Sequence, residues 1–381
     1  MTTTSRLCVV LALTLVAACS DQTPNDLTRQ PHNSDEHTEA LQAGVIQQTE
    51  TACQSASHLR TGVTTFLDRP TSDHLVAVRT QWRRAHQDYA RLLTAYELGR
   101  IKPPQIQNNR DPIDAHPLLP GYLDGVPNYP RSGLVHSEVP LTPASLLEQH
   151  QSTDFLYVTQ GFHAMETLLW GALAQGLEER ARLFQLPEQP VEDHINEHSR
   201  RAELLRLIAF ALPRDLATIC TRGNQWVLTQ ALASVQNNRD VAIVSLQDTL
   251  TGLIDQQLAM FERHPDGEDE KGEAIWHSGF ARSDFEAMKA QIDALRQDWL
   301  GLWLPDLTPP GNDAGKQNSP LASQFETLSN RLQTHDNNRE TLNRKDIADT
   351  RAILADLHAM LTELNKTKNR KADPTSEKAG Q

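Results

Sequence analysis

His163 and Glu166 stand three residues apart in Gly161-Phe162-His163-Ala164-Met165-Glu166-Thr167-Leu168-Leu169-Trp170-Gly171. On a helix this spacing points both side chains from one face. There an imidazole nitrogen and a carboxylate oxygen can share one divalent or ferric ion. Phe162, Met165, Leu168, Leu169 and Trp170 would wall the pair off from water, which raises the cost of leaving either group unpaired. Gly161 would let another backbone approach closely. The spacing alone also fits a structural hydrogen-bonded pair. A second copy, His194-Ile195-Asn196-Glu197 followed by His198, sits among charged neighbours at a helix start and reads as a solvated face.

The elements that must position the pair are helical. Leu41, Val45, Ile46, Ala52, Leu59, Val63 and Phe66 recur near a 3.6-residue period between His37 and Leu67, and Asp68-Arg69-Pro70 ends the run. A second helix, Ser72 to Leu98, carries Leu75, Val78, Trp82, Tyr89, Leu92, Leu93 and Tyr96; Gly99 and Pro103-Pro104 stop it. Residues 100–150 are rich in proline and glycine, and their Tyr122, Leu123, Val126, Tyr129 and Leu134 favour an ordered, packed excursion. Helical patterns resume over 153–173, 191–212, 215–235, 239–262, 282–302, 319–334 and 345–364. Strand-type alternation is scarce. The expected fold is all-α, two antiparallel helix-bundle halves packed together, spanning 37–212 and 213–365. Residues 262–273 read as a solvated acidic loop, 305–318 as irregular, and 366–381 as a disordered tail.

The start of the chain differs in kind. Arg6 precedes an apolar run from Leu7 to Ala18, too short to span a bilayer but suited to a signal-peptide core. Val16-Ala17-Ala18-Cys19 resembles a bacterial lipobox, so residues 1–18 are expected to be a signal peptide and Cys19 the lipid-bearing first mature residue. Ser20 after the cysteine resembles outer-membrane sorting. Residues 19–36 are polar, with Pro24 and Pro31, and read as a flexible tether. The expected location is the cell envelope, with the membrane as partner through the lipid.

Lys and Arg number 36 against 49 Asp and Glu, a net charge of −13, and no basic stripe appears. Nucleic acid is therefore not an expected partner. Cys53 and Cys220 could form one disulfide in an oxidising compartment or remain two separate buried thiols.

The eleven residues around His163 closely resemble the Gly-x-His-x-x-Glu signature of the imelysin-like family, also catalogued as peptidase family M75. Trp82 and Tyr89 on a helix ending Tyr96-Glu97-Leu98-Gly99 are similar to the family's first tryptophan-bearing helix. Pro112-Ile113-Asp114 and Asp124-Gly125-Val126-Pro127 resemble the loop after it, and His277-Ser278-Gly279-Phe280-Ala281-Arg282-Ser283-Asp284 resembles, more loosely, a late Ser/Asp segment. The resemblance implies duplicated helical halves with a site near His163 and Glu166, and a role beside envelope iron-uptake proteins. Some members are described as peptidases.

A buried ion needs more than two protein ligands. Glu97, which closes the tryptophan-bearing helix, is the first further candidate, followed by Asp114 and Asp284. Each has an ordinary alternative: an exposed helix-end carboxylate, a turn cap and a helix N-cap respectively. The leading function is non-catalytic binding of a metal such as iron or zinc. An M75-type metallopeptidase is the alternative, although the chain has no His-Glu-x-x-His run and no Gly-x-Ser-x-Gly elbow. A metal-free peptide or partner-binding module, with Tyr122, Tyr129 and Trp170 lining a cleft, is the third reading.

Overall fold

A computed structural model of the chain describes residues 34–171, 176–186, 195–262, 277–303, 320–337 and 344–372. The expected signal peptide, Cys19, His194 and most of the tether lie outside them. So do nearly all of the acidic loop, all of the irregular 305–318 segment, and residues 373–381 of the expected tail. The described elements are α1 (Ser34–Asp68), α2 (Ser72–Leu98), α3 (Pro120–Leu123), α4 (Pro143–Gln149), α5 (Gly161–Trp170), α6 (Leu177–Arg182), α7 (Glu197–Ala217), α8 (Arg222–Gln236), α9 (Arg239–Glu262), α10 (Asp284–Asp293), α11 (Leu300–Trp303), α12 (Pro320–Asn337) and α13 (Arg344–Ala372). A π-helical turn, Ala294–Trp299, joins α10 to α11. Among the described residues there is no strand, only two isolated bridges in the long loop, and the fold is all-α. No helix among them is long and apolar enough to cross a membrane.

The helices begin where the sequence offers caps. Thr71 accepts from His74 N before α2, Asn196 from Ser199 N before α7, and Thr221 from Asn224 N before α8. The apolar stripe of α2 buries Leu75, Val78, Trp82, Tyr89 and Leu92, and α2 packs against α5, α6, α8, α9 and α10. This central helix therefore carries one face of the site.

Several boundaries depart from the periodicity: the helices expected from residues 191 and 215 begin at Glu197 and Arg222, and three further departures have a local cause or consequence. The helix expected from residue 153 starts only at Gly161. Asp154 Oδ1 takes Leu156 N in a local turn, and Thr159 spends its N–H on His150 Nδ1 and its hydroxyl on Leu146 O. α7 continues through Pro213 to Ala217, so the expected division at 212/213 falls inside a helix. A proline there costs about 3 kcal/mol; burial of Leu212 and Leu216, one turn apart, offsets it. Finally, α13 runs on to Ala372 through residues expected to be tail.

From Asp35 onward the described residues form a single contact unit. Cys53 on α1 and Cys220 in the turn between α7 and α8 are joined as a disulfide, Cα to Cα 6.7 Å.

Candidate metal centre

α5 is ten residues long, and only Trp170 is not fully buried. Gly161 begins it at φ +86°, where a Cβ would lie 2.3 Å from Ile113 O. Only glycine suits that conformation and that approach. With no side chain in the way, Phe162 N donates to Ile113 O at 2.8 Å. The incoming loop is itself fixed: Asp111 Oδ1 takes Ile113 N, and Asp111 O lies 2.9 Å from His150 Nε2. Asp114, next in the loop, is thereby set against His163.

The other end of α5 is held by two arginines. Arg79 donates to Leu169 O, and Arg180 to Thr167 O and Leu168 O. They satisfy carbonyls that a helix leaves unpaired at its C-terminus. From α2, Trp82 Nε1 donates to Phe162 O at 2.9 Å, and one turn later His86 stacks on the Trp82 ring at 4.9 Å.

These constraints bring His86, Asp114, His163 and His277 together, with one donor atom from each within 4.8 Å of every other. Asp114 Oδ1 lies 3.0 Å from His163 Nε2 and 3.2 Å from His86 Nε2, and Oδ2 lies 3.8 Å from His277 Nε2. For metal bonds of ~2.1 Å, a tetrahedral site separates its donors by ~3.4 Å. The Asp114 contacts with His163 and His86 fall close to that spacing, and no two donors of the set are more than 4.8 Å apart. His163 Nε2 is buried and faces Asp114 Oδ1 at 3.0 Å. A buried nitrogen that shares its approach with a carboxylate suits a ligand atom. Three imidazoles and a carboxylate match iron, zinc and neighbouring transition ions rather than calcium or magnesium.

The ring's other nitrogen fixes its state. His163 Nδ1 donates to Glu166 Oε2 at 2.9 Å, since a carboxylate can only accept. Burial disfavours a charged His163, but hydrogen bonds and charges from Asp114 and Glu166 push its pKa up to about 10. Burial works against an ionised Asp114 too, yet the histidines around it hold its carboxyl well below the usual range. Burial, followed by the charge on His163, holds His277 well below its ordinary value. His277 and Asp114 form the more accessible side, with side chains 23% and 11% exposed against 0% for His163. The His116 ring lies 4.7 Å from that of His277.

Of the residues singled out in the sequence, His163 and Asp114 join the cluster. Glu166 touches His163 but contributes no atom to the four-donor set. Glu97 is exposed at the end of α2 and is not part of the set. Asp284 is buried at the start of α10, also outside the set, where it accepts Ser278 N at 3.3 Å; burial pushes its pKa up to about 6. Tyr129 is exposed, Tyr122 stacks on Tyr157, and Trp170 packs against Trp82 beneath Arg79. Sequence reasoning missed His86 and His277. His86 had a signal: it falls one turn after Trp82 on the apolar face of α2. His277 had none beyond its place in the late Ser/Asp segment.

The crystal structure of an imelysin-like protein from Psychrobacter arcticum 273-4 is similar over 87% of this chain and 92% of its own, at 17% identity and a TM-score of 0.47. No curated protein matches the chain. The family model for imelysin, peptidase M75, matches residues 45–372, and the chain belongs to that family.

Proposed function

We propose that this imelysin-family protein binds a transition-metal ion, iron or zinc, through His86, Asp114, His163 and His277, as a lipid-anchored protein of the cell envelope. The observation that carries the reading is the convergence of four buried or half-buried donors, three imidazoles around one carboxylate. The ion would supply positive charge where His163 otherwise holds a proton. Asp114 would neutralise part of that charge, while the surrounding rings orient the ion and limit water. The envelope assignment draws support from the Cys53–Cys220 disulfide, which persists in oxidising compartments, and from the Cys19 lipobox. Delivery of iron to an uptake partner is the role in keeping with both.

A peptidase needs a carboxylate free to take a proton from the metal-bound water. Both oxygens of Glu166 are already engaged, by His163 and by the amides of Phe280 and Ala281, which favours binding over hydrolysis.

The test is metal content by mass spectrometry after purification without chelator and refilling with Fe(II) or Zn(II). Wild type is expected to hold close to one ion per chain, and His163→Ala and Asp114→Ala far less at the same circular-dichroism signal. Equal content in all three would refute the reading. Labelling of the mature chain at Cys19 by a lipid precursor, abolished by Cys19→Ala, tests the anchor.

A further inference from the structure

Glu166 uses its two oxygens on two different parts of the centre. Oε2 accepts from His163 Nδ1. Oε1 accepts the N–H groups of Phe280 and Ala281, at 2.9 and 2.6 Å. Those amides belong to the loop residues 277–283 that precede α10, more than a hundred residues away in sequence. The same loop is tied from two further directions. Arg83 donates to Ala281 O and pairs with Glu286 at 2.7 Å, and Ser278 N donates to Asp284 Oδ1. Within it Arg282 adopts φ +51°, a conformation that costs a non-glycine residue about 1–2 kcal/mol. Such a turn persists only where its surroundings hold it.

Coordination by Glu166 itself fits this arrangement poorly. Oε1 already takes two donors, one for each lone pair, and Oε2 faces the Nδ1 side of the ring, opposite the Nε2 that approaches Asp114. We propose that Glu166 is a positioning residue outside the ligand set. It selects the His163 tautomer with one oxygen and docks the His277 loop with the other, so that the fourth donor is delivered only while the loop rests on Glu166. This deepens the metal-binding reading and rests on it.

The test uses the full mature chain, Co(II) as the probe ion, and two variants. Glu166→Gln keeps an oxygen for the loop amides but turns an NH2 group toward His163 Nδ1, which forces the ring proton onto Nε2. Glu166→Ala removes both functions. In Glu166→Gln, amide exchange over 277–283 is expected to stay as slow as in wild type. Its Co(II) affinity should fall ~10–100-fold, the usual effect of losing such an outer partner. At saturating Co(II) its visible spectrum should match wild type, because the ligands are the same. In Glu166→Ala, exchange over 277–283 should speed up as affinity drops; if that variant does not fold, the isosteric one decides.

Wild-type Co(II) affinity in Glu166→Gln, an altered spectrum at saturation, or unchanged loop exchange in Glu166→Ala would each overturn the proposal. Those outcomes need a wild type that binds Co(II). A wild type that takes up none brings down the metal reading, and the delivery step with it.

Discussion

At the residue scale, the proposed metal would have to compete with a proton for His163 Nε2. With its pKa pushed up to about 10, the ring carries a proton at pH 8 when no metal is bound, and a metal must displace it. Calorimetry in two buffers of different ionisation enthalpy should therefore show close to one proton released per ion bound, with affinity rising as pH approaches 10; no release would contradict the His163 assignment. The sign for stability follows from the raised pKa. In the metal-free protein the His163 contribution is fully present below its unfolded pKa of ~6.5 and is lost as pH rises through about 10. Gly161 offers an independent check. Gly161→Ala would place a Cβ 2.3 Å from Ile113 O in a left-handed backbone. A drop of about 2–4 kcal/mol in unfolding free energy, with weakened metal binding because Asp114 rides on the displaced loop, is expected. The Gly-x-His-x-x-Glu spacing made His163, Glu166 and the close approach at Gly161 legible in the sequence. It could not assign Glu166 to the loop amides or add His86 and His277. Those depend on how α2 and the 277–283 loop meet α5, and no local period encodes that meeting.

At the scale of elements, the short site helix is held by a buried ion cluster behind it. Arg201 on α7 makes a two-pronged contact with Asp124, at 2.7 and 2.8 Å. Arg180 on α6 stands 3.6 Å from the same carboxylate and bonds the last carbonyls of α5. Burial favours a neutral Asp124, but Arg201 and its neighbours hold the carboxyl far below its usual range. Its stabilising contribution is therefore present above the unfolded pKa of ~3.9 and lost as the pH falls further. Arg201→Met leaves Asp124 buried and short of a partner, at a cost of about 3–5 kcal/mol in denaturant unfolding. Adding Asp124→Asn should recover part of that loss, whereas strictly additive losses would show that the two residues are not coupled. Apolar periodicity revealed most helices within a few residues of their ends, because α2 and its neighbours bury one clear stripe. It failed where a side chain or loop intervened: at residues 153–160, whose polar groups bond the long loop, and at Pro213, where packing on both sides carries the helix onward.

At the scale of the whole molecule, the Cys53–Cys220 bond ties the first long helix to the turn between α7 and α8 across 167 residues of sequence. The spacing of the two cysteines could not decide between a bond and two free thiols; the packing of α1 beside that turn does. A cross-link that closes so long a loop restricts the unfolded chain and stabilises the folded one by at most about 5 kcal/mol on the chain-entropy account. Cys53→Ser/Cys220→Ser should accordingly unfold at lower temperature than wild type, and reduction of wild type should produce the same shift. The centre itself lies on α2, α5 and two loops, and neither cysteine belongs to it. Metal affinity at a temperature where the variant is still folded should therefore match wild type, separating a staple of the scaffold from a part of the site. A variant with an unchanged melting temperature would mean that the bond adds nothing the helices do not already supply. A folded variant with weakened metal binding would mean that the position of α1 reaches the centre through α2.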